Sequence, residues 1–109
     1  MTVKDILATG NFTAISLPDE GREINGVYIG DLLSWVMGRA QADNAWITIM
    51  SNINIVAVAS LADVACIILA EGVTVDETIK TTAEAKDVNI ISTSMPAYEA
   101  AMELAKMTV

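Results

Sequence analysis

Four short segments of the chain carry side chains of the kinds that bind small ligands, namely hydroxyls, amides and two carboxylates. Each segment follows an apolar run. The residues are Gly30, Asp31, Met50, Ser51, Asn52, Glu71, Gly72, Ser92, Thr93 and Ser94. In an open α/β sheet, ligands bind beyond the carboxyl ends of the parallel strands, where helix N-termini and loop amides converge. If the apolar runs are such strands, these residues form one polar rim around a crevice for a small molecule, such as a nucleotide or a sugar.

The same residues also have an ordinary structural interpretation. Asp31, Asn52 and Ser94 are suitable helix N-caps, and Gly72 suits a turn. A carboxylate pair such as Asp31 and Glu71 is a conceivable Mg²⁺ site, but solvated carboxylates at caps and turns are far commoner. The sequence therefore predicts no metal site, and it leaves open whether the rim binds a ligand or only caps helices.

The residues that common catalytic mechanisms require are missing from the sequence. The chain has no histidine, so a Ser-His-Asp or Cys-His triad is impossible and zinc would lack its usual nitrogen ligands. Neither G-x-x-x-x-G-K-[ST] nor G-x-G-x-x-G occurs, so the ordinary phosphate-binding loops are absent. We expect a protein that is not an enzyme and needs no cofactor.

The stretch from Trp46 to Gly72 predicts the framework that positions the rim. Its two apolar runs, 46–49 and 66–69, do not alternate with polar residues, which is typical of strands buried on both faces. The segment 53–61 between them is long enough to be a crossover helix, although residues 52–55 alternate like a strand. We interpret the stretch as a βαβ unit.

Caps and periodicity predict the other elements. Three further strands are expected over residues 12–17, 27–29 and 88–92. Two helix starts are predicted as capping boxes, one formed by Thr2 and Asp5 and the other by Thr74 and Glu77. The other predicted N-caps are Asp31, then Ser51 or Asn52, and then Ser94 with Pro96 in the first turn of its helix. The last helix is expected to bury a stripe made of Tyr98, Ala101, Met102 and Ala105.

These elements predict an α/β fold in which a central, mostly parallel sheet is flanked by helices. The first strand is expected to be antiparallel to the others or to lie outside the main sheet. At 109 residues the chain has the size of one domain, so we expect a single domain over residues 1–109.

Composition limits the partners and the location. Fourteen acidic and six basic residues give a net charge of −8, which argues against binding to nucleic acid or to an anionic membrane surface.

Cys66, the only cysteine, lies in an apolar run and is expected to be buried and unreactive. The N-terminus does not resemble a signal peptide, so we expect a cytoplasmic protein. Six methionines and a mean hydropathy of +0.48 suggest that a partner chain covers one apolar surface, for which a homodimer is the simplest case.

Three segments resemble the DRTGG domain family: residues 26–37 (GVYIGDLLSWVM), 46–49 (WITI) and 54–59 (NIVAVA). The similarity continues at 67–69, 76–77 and 90–93. It implies a fold like the N-terminal domain of HPr kinase/phosphorylase, without catalytic activity. In other proteins such domains accompany CBS domains of inorganic pyrophosphatases or the catalytic domain of phosphate acetyltransferases. In those proteins, the resemblance implies, the domain has a regulatory role and contributes to dimerisation.

The chain departs from the pattern for which the family is named. In our alignment the Asp-Arg pair falls on Ser51 and Asn52, and the Thr-Gly-Gly triplet falls on Ala70, Glu71 and Gly72, which keeps only the last glycine. If the family binds an anionic ligand through that arginine, this chain has lost the charge and its ligand differs.

Two alternative functions, from different classes, are therefore considered. The first is a non-enzymatic regulatory module that senses a ligand, forms a homodimer and acts on a separately encoded partner. The second is a purely structural or assembly module that binds only proteins.

Overall fold

The computed structural model describes residues 1–107, in which strands alternate with helices from β2 onward and β1 directly precedes β2. The strands are β1 (Thr13–Ser16), β2 (Gly26–Ile29), β3 (Asn44–Thr48), β4 (Cys66–Leu69) and β5 (Ile90–Ser92). The helices are α1 (Val3–Ala8), α2 (Leu33–Arg39), α3 (Asn54–Ala62), α4 (Glu77–Ala85) and α5 (Ala97–Met107). The predicted order of elements is confirmed.

The strands form one sheet in the order β1-β5-β4-β3-β2. All neighbouring pairs are parallel except β1 and β5, which are antiparallel. The α/β fold with a mostly parallel sheet is thus confirmed, and β1 takes the antiparallel edge position that was one of the two alternatives. The central stretch forms the predicted βαβ unit, although Ile49 lies outside β3 and is 45% exposed.

Helices cover both faces of the sheet. Helices α2, α3 and α4 pack on one face, against a buried cluster that includes Trp46, Ile67 and Ile90. Helices α1 and α5 pack on the other face, against a cluster that includes Ile47 and Ile68. Successive residues of a strand point to opposite faces, so β3 and β4 need apolar residues at nearly every position. This is why their sequences do not alternate.

The described helix starts differ from the predictions in four places. Thr2 and Asp5 form the predicted capping box of α1. Helix α2 begins after Leu32 without a side-chain cap, because Asp31 accepts hydrogen bonds from β3 and its following loop instead. Helix α4 is capped by Asp76, whose carboxylate accepts from the Ile79 amide, so a capping box from Thr74 to Glu77 is wrong. The local sequence was compatible with an N-cap at either Thr74 or Asp76.

The third difference is at α3. Ile53 occupies its N-cap position without a side-chain bond, and Asn52 Oδ1 accepts from the Asn54 amide in the turn just before the helix. The predicted cap at Ser51 or Asn52 is therefore wrong by one or two residues.

Helix α5 places a different stripe against the sheet than predicted. Ala100 and Leu104 are fully buried, whereas Tyr98 is 71% exposed and Met102 is 43% exposed. The fourth difference is at the start of this helix: it begins at Ala97, one residue after Pro96, whose carbonyl accepts from the Ala100 amide, so the predicted cap at Ser94 with Pro96 in the first turn is wrong. Apolar residues lie on two adjacent sides of this helix, so its periodicity did not decide which side faces the sheet.

Cys66 is fully buried in β4, and burial raises the pKa of its thiol to about 12. The predicted burial of Cys66 is confirmed, and the raised pKa supports the prediction of an unreactive thiol, because the thiolate is the reactive form. Within residues 1–107, none of the helices has the length and apolar character needed to cross a bilayer.

Candidate functional site

The carboxyl ends of four parallel strands bring the predicted polar segments to one edge of the sheet. The register pairs Ile29 with Ile47, Thr48 with Leu69, and Leu69 with Ser92, so the loops after β2, β3, β4 and β5 follow one another along this edge. We call the ten predicted residues in these loops and at the end of β5 the strand-end rim. Strands are about 4.8 Å apart, so the rim spans roughly 14 Å and has two halves, one at β2 and β3 and one at β4 and β5.

Asp31 connects the two loops of the first half. Its Oδ1 accepts from Thr48 Oγ1 at 2.8 Å and from the Ile49 amide at 3.0 Å. Thr48 is 2% exposed, and its hydroxyl oxygen also accepts from the Met50 amide at 3.2 Å. Asp31 thus holds the ends of β2 and β3 together.

Gly30 ties this half of the rim to the core. Its carbonyl accepts from Trp46 Nε1 at 2.9 Å. A Cβ at this position would lie 2.9 Å from the Tyr28 ring, so the close approach requires glycine. The loop that carries Asp31 is therefore positioned by a fully buried side chain of β3.

Glu71 and Gly72 form the turn at the centre of the second half. Both have positive φ angles, 56° and 73°, in the left-handed region that glycine accepts most readily. Their amides donate to the carbonyls of Met95 and Thr93, each at 2.9 Å. The two carboxyl-terminal positions of our aligned Thr-Gly-Gly triplet thus have a glycine-like backbone, although one of them is glutamate. Their amide groups are used to join two loops.

The remaining rim residues differ in accessibility. Ser51, Asn52, Glu71 and Ser94 are exposed, Met50 and Ser92 are half-buried, and Thr93 is buried with its hydroxyl accepting from the Met95 amide. The structure therefore brings all ten residues to one edge, and it leaves mainly the exposed hydroxyl, amide and carboxylate groups available to a small molecule.

Sequence reasoning missed a set of exposed apolar side chains beside the first half of the rim. They are Ile29, Leu32, Ile49 and Ile53, which are 44% to 58% exposed. The signal was present in the sequence, since each directly follows or precedes a rim segment. A molecule bound at this half would meet apolar surface as well as polar groups.

The charges of the rim are acidic. Asp31 and Glu71 are its ionisable residues, and none of the ten residues is basic. Arg22 binds Asp43, which directly precedes β3, and therefore lies at the opposite end of the strands. Within the described part of the chain, no three His, Cys, Asp or Glu side chains are placed to hold a metal ion together. The rim can form hydrogen bonds and apolar contacts, but it offers no cation for a phosphate group.

The backbone at Glu71 leads to a prediction. A glutamate in the left-handed region is strained, so Glu71→Gly is expected to raise the free energy of unfolding by about 1 kcal/mol. Gly72→Ala is the matched variant and is expected to lower it by a similar amount, roughly 1 kcal/mol. Urea unfolding followed by circular dichroism measures both. Changes of the same sign in the two variants would contradict this account of the turn.

Comparison with known proteins shows the family and agrees with the fold. The sequence profile of the DRTGG domain matches residues 17–107. No curated protein sequence matches the chain. A crystal structure of the CBS and DRTGG domains from the regulatory region of Clostridium perfringens pyrophosphatase, complexed with the activator diadenosine tetraphosphate, is similar with a TM-score of 0.72. The two sequences are 17% identical, and the aligned region covers 93% of this chain and 44% of the pyrophosphatase chain.

Proposed function

The chain belongs to the DRTGG domain family, and from this premise we propose that it is a non-enzymatic regulatory module that senses a small molecule at the strand-end rim. We treat residues 1–109 as one such domain. The proposal extends to a homodimer that acts on a separately encoded protein in the cytoplasm, where a single unpaired thiol stays reduced.

One observation carries the proposal. Loops from four parallel strands converge at one edge, which is where α/β sheets bind ligands, and Asp31 fixes two of these loops to each other. The related regulatory region of the pyrophosphatase was crystallised with a nucleotide activator, which supports a nucleotide-like ligand.

The chemistry of the rim narrows the ligand. The rim residues include two carboxylates and no basic side chain, so a polyphosphate would be repelled rather than bound. Hydroxyl and amide groups beside exposed isoleucines suit the sugar and base of a nucleoside better than its phosphates. We therefore expect an uncharged nucleoside-like or sugar-like molecule.

Thermal-shift screening against nucleosides, nucleotides and sugars tests this function. A ligand at about 100 times its Kd adds about 2.7 kcal/mol of stability, which gives a large rise in Tm for a domain of this size. The rise should disappear in Asn52→Ala and Glu71→Ala. It should persist in the matched controls Asn11→Ala and Glu84→Ala, which replace exposed residues outside the rim.

A second candidate is an assembly module that binds only proteins. The internal use of the Asp31 carboxylate and of the Glu71 and Gly72 amides favours it, since fewer groups remain for a ligand. The absence of any thermal shift across the panel would favour this module over the ligand sensor. A shift retained in both rim variants would place the binding site elsewhere.

A further inference from the structure

We infer that a second copy of this chain binds along the free edge of β2, so that the two sheets join across a two-fold axis and the α5 helices of the two copies pack side by side. The inference rests on the homodimer in the proposed function, and it assigns the surface that the two copies share.

The first observation is the edge strand itself. β2 pairs with β3 on one side, and no strand within residues 1–107 pairs with its other side. Its four residues, Gly26 to Ile29, include no proline and no charged residue, and its register with β3 is regular. Such an edge pairs readily with another strand, and proteins usually protect it with charges, prolines or bulges. By contrast, the opposite edge, β1, has an irregular register between Ala14 and Ser16.

The second observation is an apolar groove beside that edge. Val27 and Ile29 are aligned with Ala45 and Ile47, so they point to the face that α5 covers. They remain 37% and 50% exposed, because α5 does not extend over the edge strand completely. The groove has a volume of about 520 Å³ and is lined by Asn25, Gly26, Val27, Tyr28, Ile29, Ala101 and Ala105.

The third observation is the outer side of α5. The sequence predicted Tyr98, Ala101, Met102 and Ala105 as a stripe buried by the chain's own core. The structure buries Ala100 and Leu104 instead, and it leaves Tyr98 largely and Met102 partly exposed. Tyr98 and Met102 are neighbours on one side of the helix, and within residues 1–107 they remain 71% and 43% exposed.

One two-fold operation accounts for all three features. An antiparallel pairing of β2 with its copy satisfies both strand edges, and the same rotation places the two α5 helices on one face, beside the junction. The stripe of each helix then meets the stripe of the other. An added peptide strand would cover the edge but not the stripe, and a single helix would cover the groove but leave the edge open.

Charge and area also favour a second copy. Two chains with a net charge of −8 repel each other, and none of the described residues lining the groove is charged, so the repulsion is weakest there. A standard interface buries about 800 Å² per partner, roughly a seventh of the 5482 Å² surface of this chain. The strand edge, the groove and the outer side of an 11-residue helix, about 16 Å long, provide a surface of that order.

Sedimentation equilibrium on the full chain tests the inference. The wild type is expected to dimerise, and the dimer should become tighter as added salt screens the repulsion between the acidic chains. Tyr98→Glu and Ile29→Lys should each raise the dimer Kd roughly 100-fold or more, because each buries a charge in the interface. Leu61→Glu is the control: Leu61 is 72% exposed on α3, almost the same as Tyr98, and its variant should dimerise like the wild type.

The outcomes separate this inference from the proposed function. A wild type that remains monomeric would overturn both the homodimer and this interface, and would leave the edge for an extended peptide of another protein. A dimer that persists in Tyr98→Glu and Ile29→Lys would overturn the interface alone. A dimer lost in Leu61→Glu and kept in the other two would move the interface to α3. Far-UV circular dichroism shows that each variant is folded.

Discussion

Replacing Trp46 by alanine is expected to lower the free energy of unfolding by about 3–5 kcal/mol. Trp46 is fully buried in β3 and belongs to the core cluster that holds α2, α3 and α4 on the sheet. Alanine would remove most of the ring contacts and leave a cavity. The loss is a large part of the roughly 5–15 kcal/mol that stabilises a domain of this kind. Urea unfolding followed by far-UV circular dichroism measures it.

The effect of Trp46 should also reach the strand-end rim. Its indole N–H donates to the Gly30 carbonyl, so Trp46→Phe should keep much of the packing but lose this bond, at about 1 kcal/mol. We expect Trp46→Phe to weaken any thermal shift caused by a ligand at the rim, because the loop that carries Asp31 loses its anchor.

Trp35 provides the control for Trp46. It is 52% exposed, and the Arg39 guanidinium carbon lies 3.7 Å from its ring centre. Trp35→Ala removes this cation–π contact and should cost about 1 kcal/mol or less. If the two alanine variants lost equal stability, the assignment of Trp46 as a core anchor would be wrong.

Replacing Arg22 by alanine is expected to cost about 2 kcal/mol, although its carboxylate partners are largely at the surface. The Arg22 side chain is 23% exposed. Its guanidinium donates to Asp43 Oδ1 at 2.8 and 3.0 Å, to the Asp63 carbonyl at 2.7 Å and to Asp63 Oδ1 at 2.9 Å. Burial lowers the pKa of Arg22, but the bonds to both aspartates more than offset it, so the net shift is upward.

Geometry makes this site more costly to lose than an ordinary surface ion pair. Asp43 and Asp63 both have positive φ angles, 67° and 58°, and lie where the chain enters β3 and leaves α3. Arg22 joins these two turns to the loop before β2. Without it, two carboxylates remain close together with no cation between them.

Arg22→Lys is the matched variant. Lysine keeps the charge but lacks the planar guanidinium that reaches both aspartates. The free energy of unfolding of Arg22→Lys should therefore lie between those of the wild type and Arg22→Ala. Urea unfolding at low and high salt compares them. A cost below about 0.5 kcal/mol for alanine would show that the site behaves as an isolated surface pair.

The stability of this fold therefore depends on both ends of the parallel strands. Arg22 connects the loops at their amino ends, and Asp31 and Trp46 connect those at their carboxyl ends. In the proposed function, the ligand binds at the carboxyl ends of the strands, where the exposed isoleucines also lie.

The sequence alone determined the order of elements, the mostly parallel sheet and the edge at which the polar loops meet. These features depend on local patterns. The uninterrupted apolar run 66–69 matched β4 residue for residue, and the Thr2 to Asp5 spacing specified the first capping box. The four loops could be grouped without coordinates because parallel strands joined by crossovers all end at one edge.

Only the tertiary structure decided which of several local possibilities each side chain takes. Asp31 was as good a helix cap as any, but Thr48 and Ile49, on the neighbouring strand and in the loop after it, gave it other donors. Helix α5 offered two apolar sides, and the sheet beneath it chose Ala100 and Leu104. Within residues 1–107, the unpaired edge of β2 and the exposure of Tyr98 and Met102 on α5 likewise follow from the strand order and from how α5 packs. Such choices depend on residues distant in sequence, and a local pattern contains no information about those neighbours.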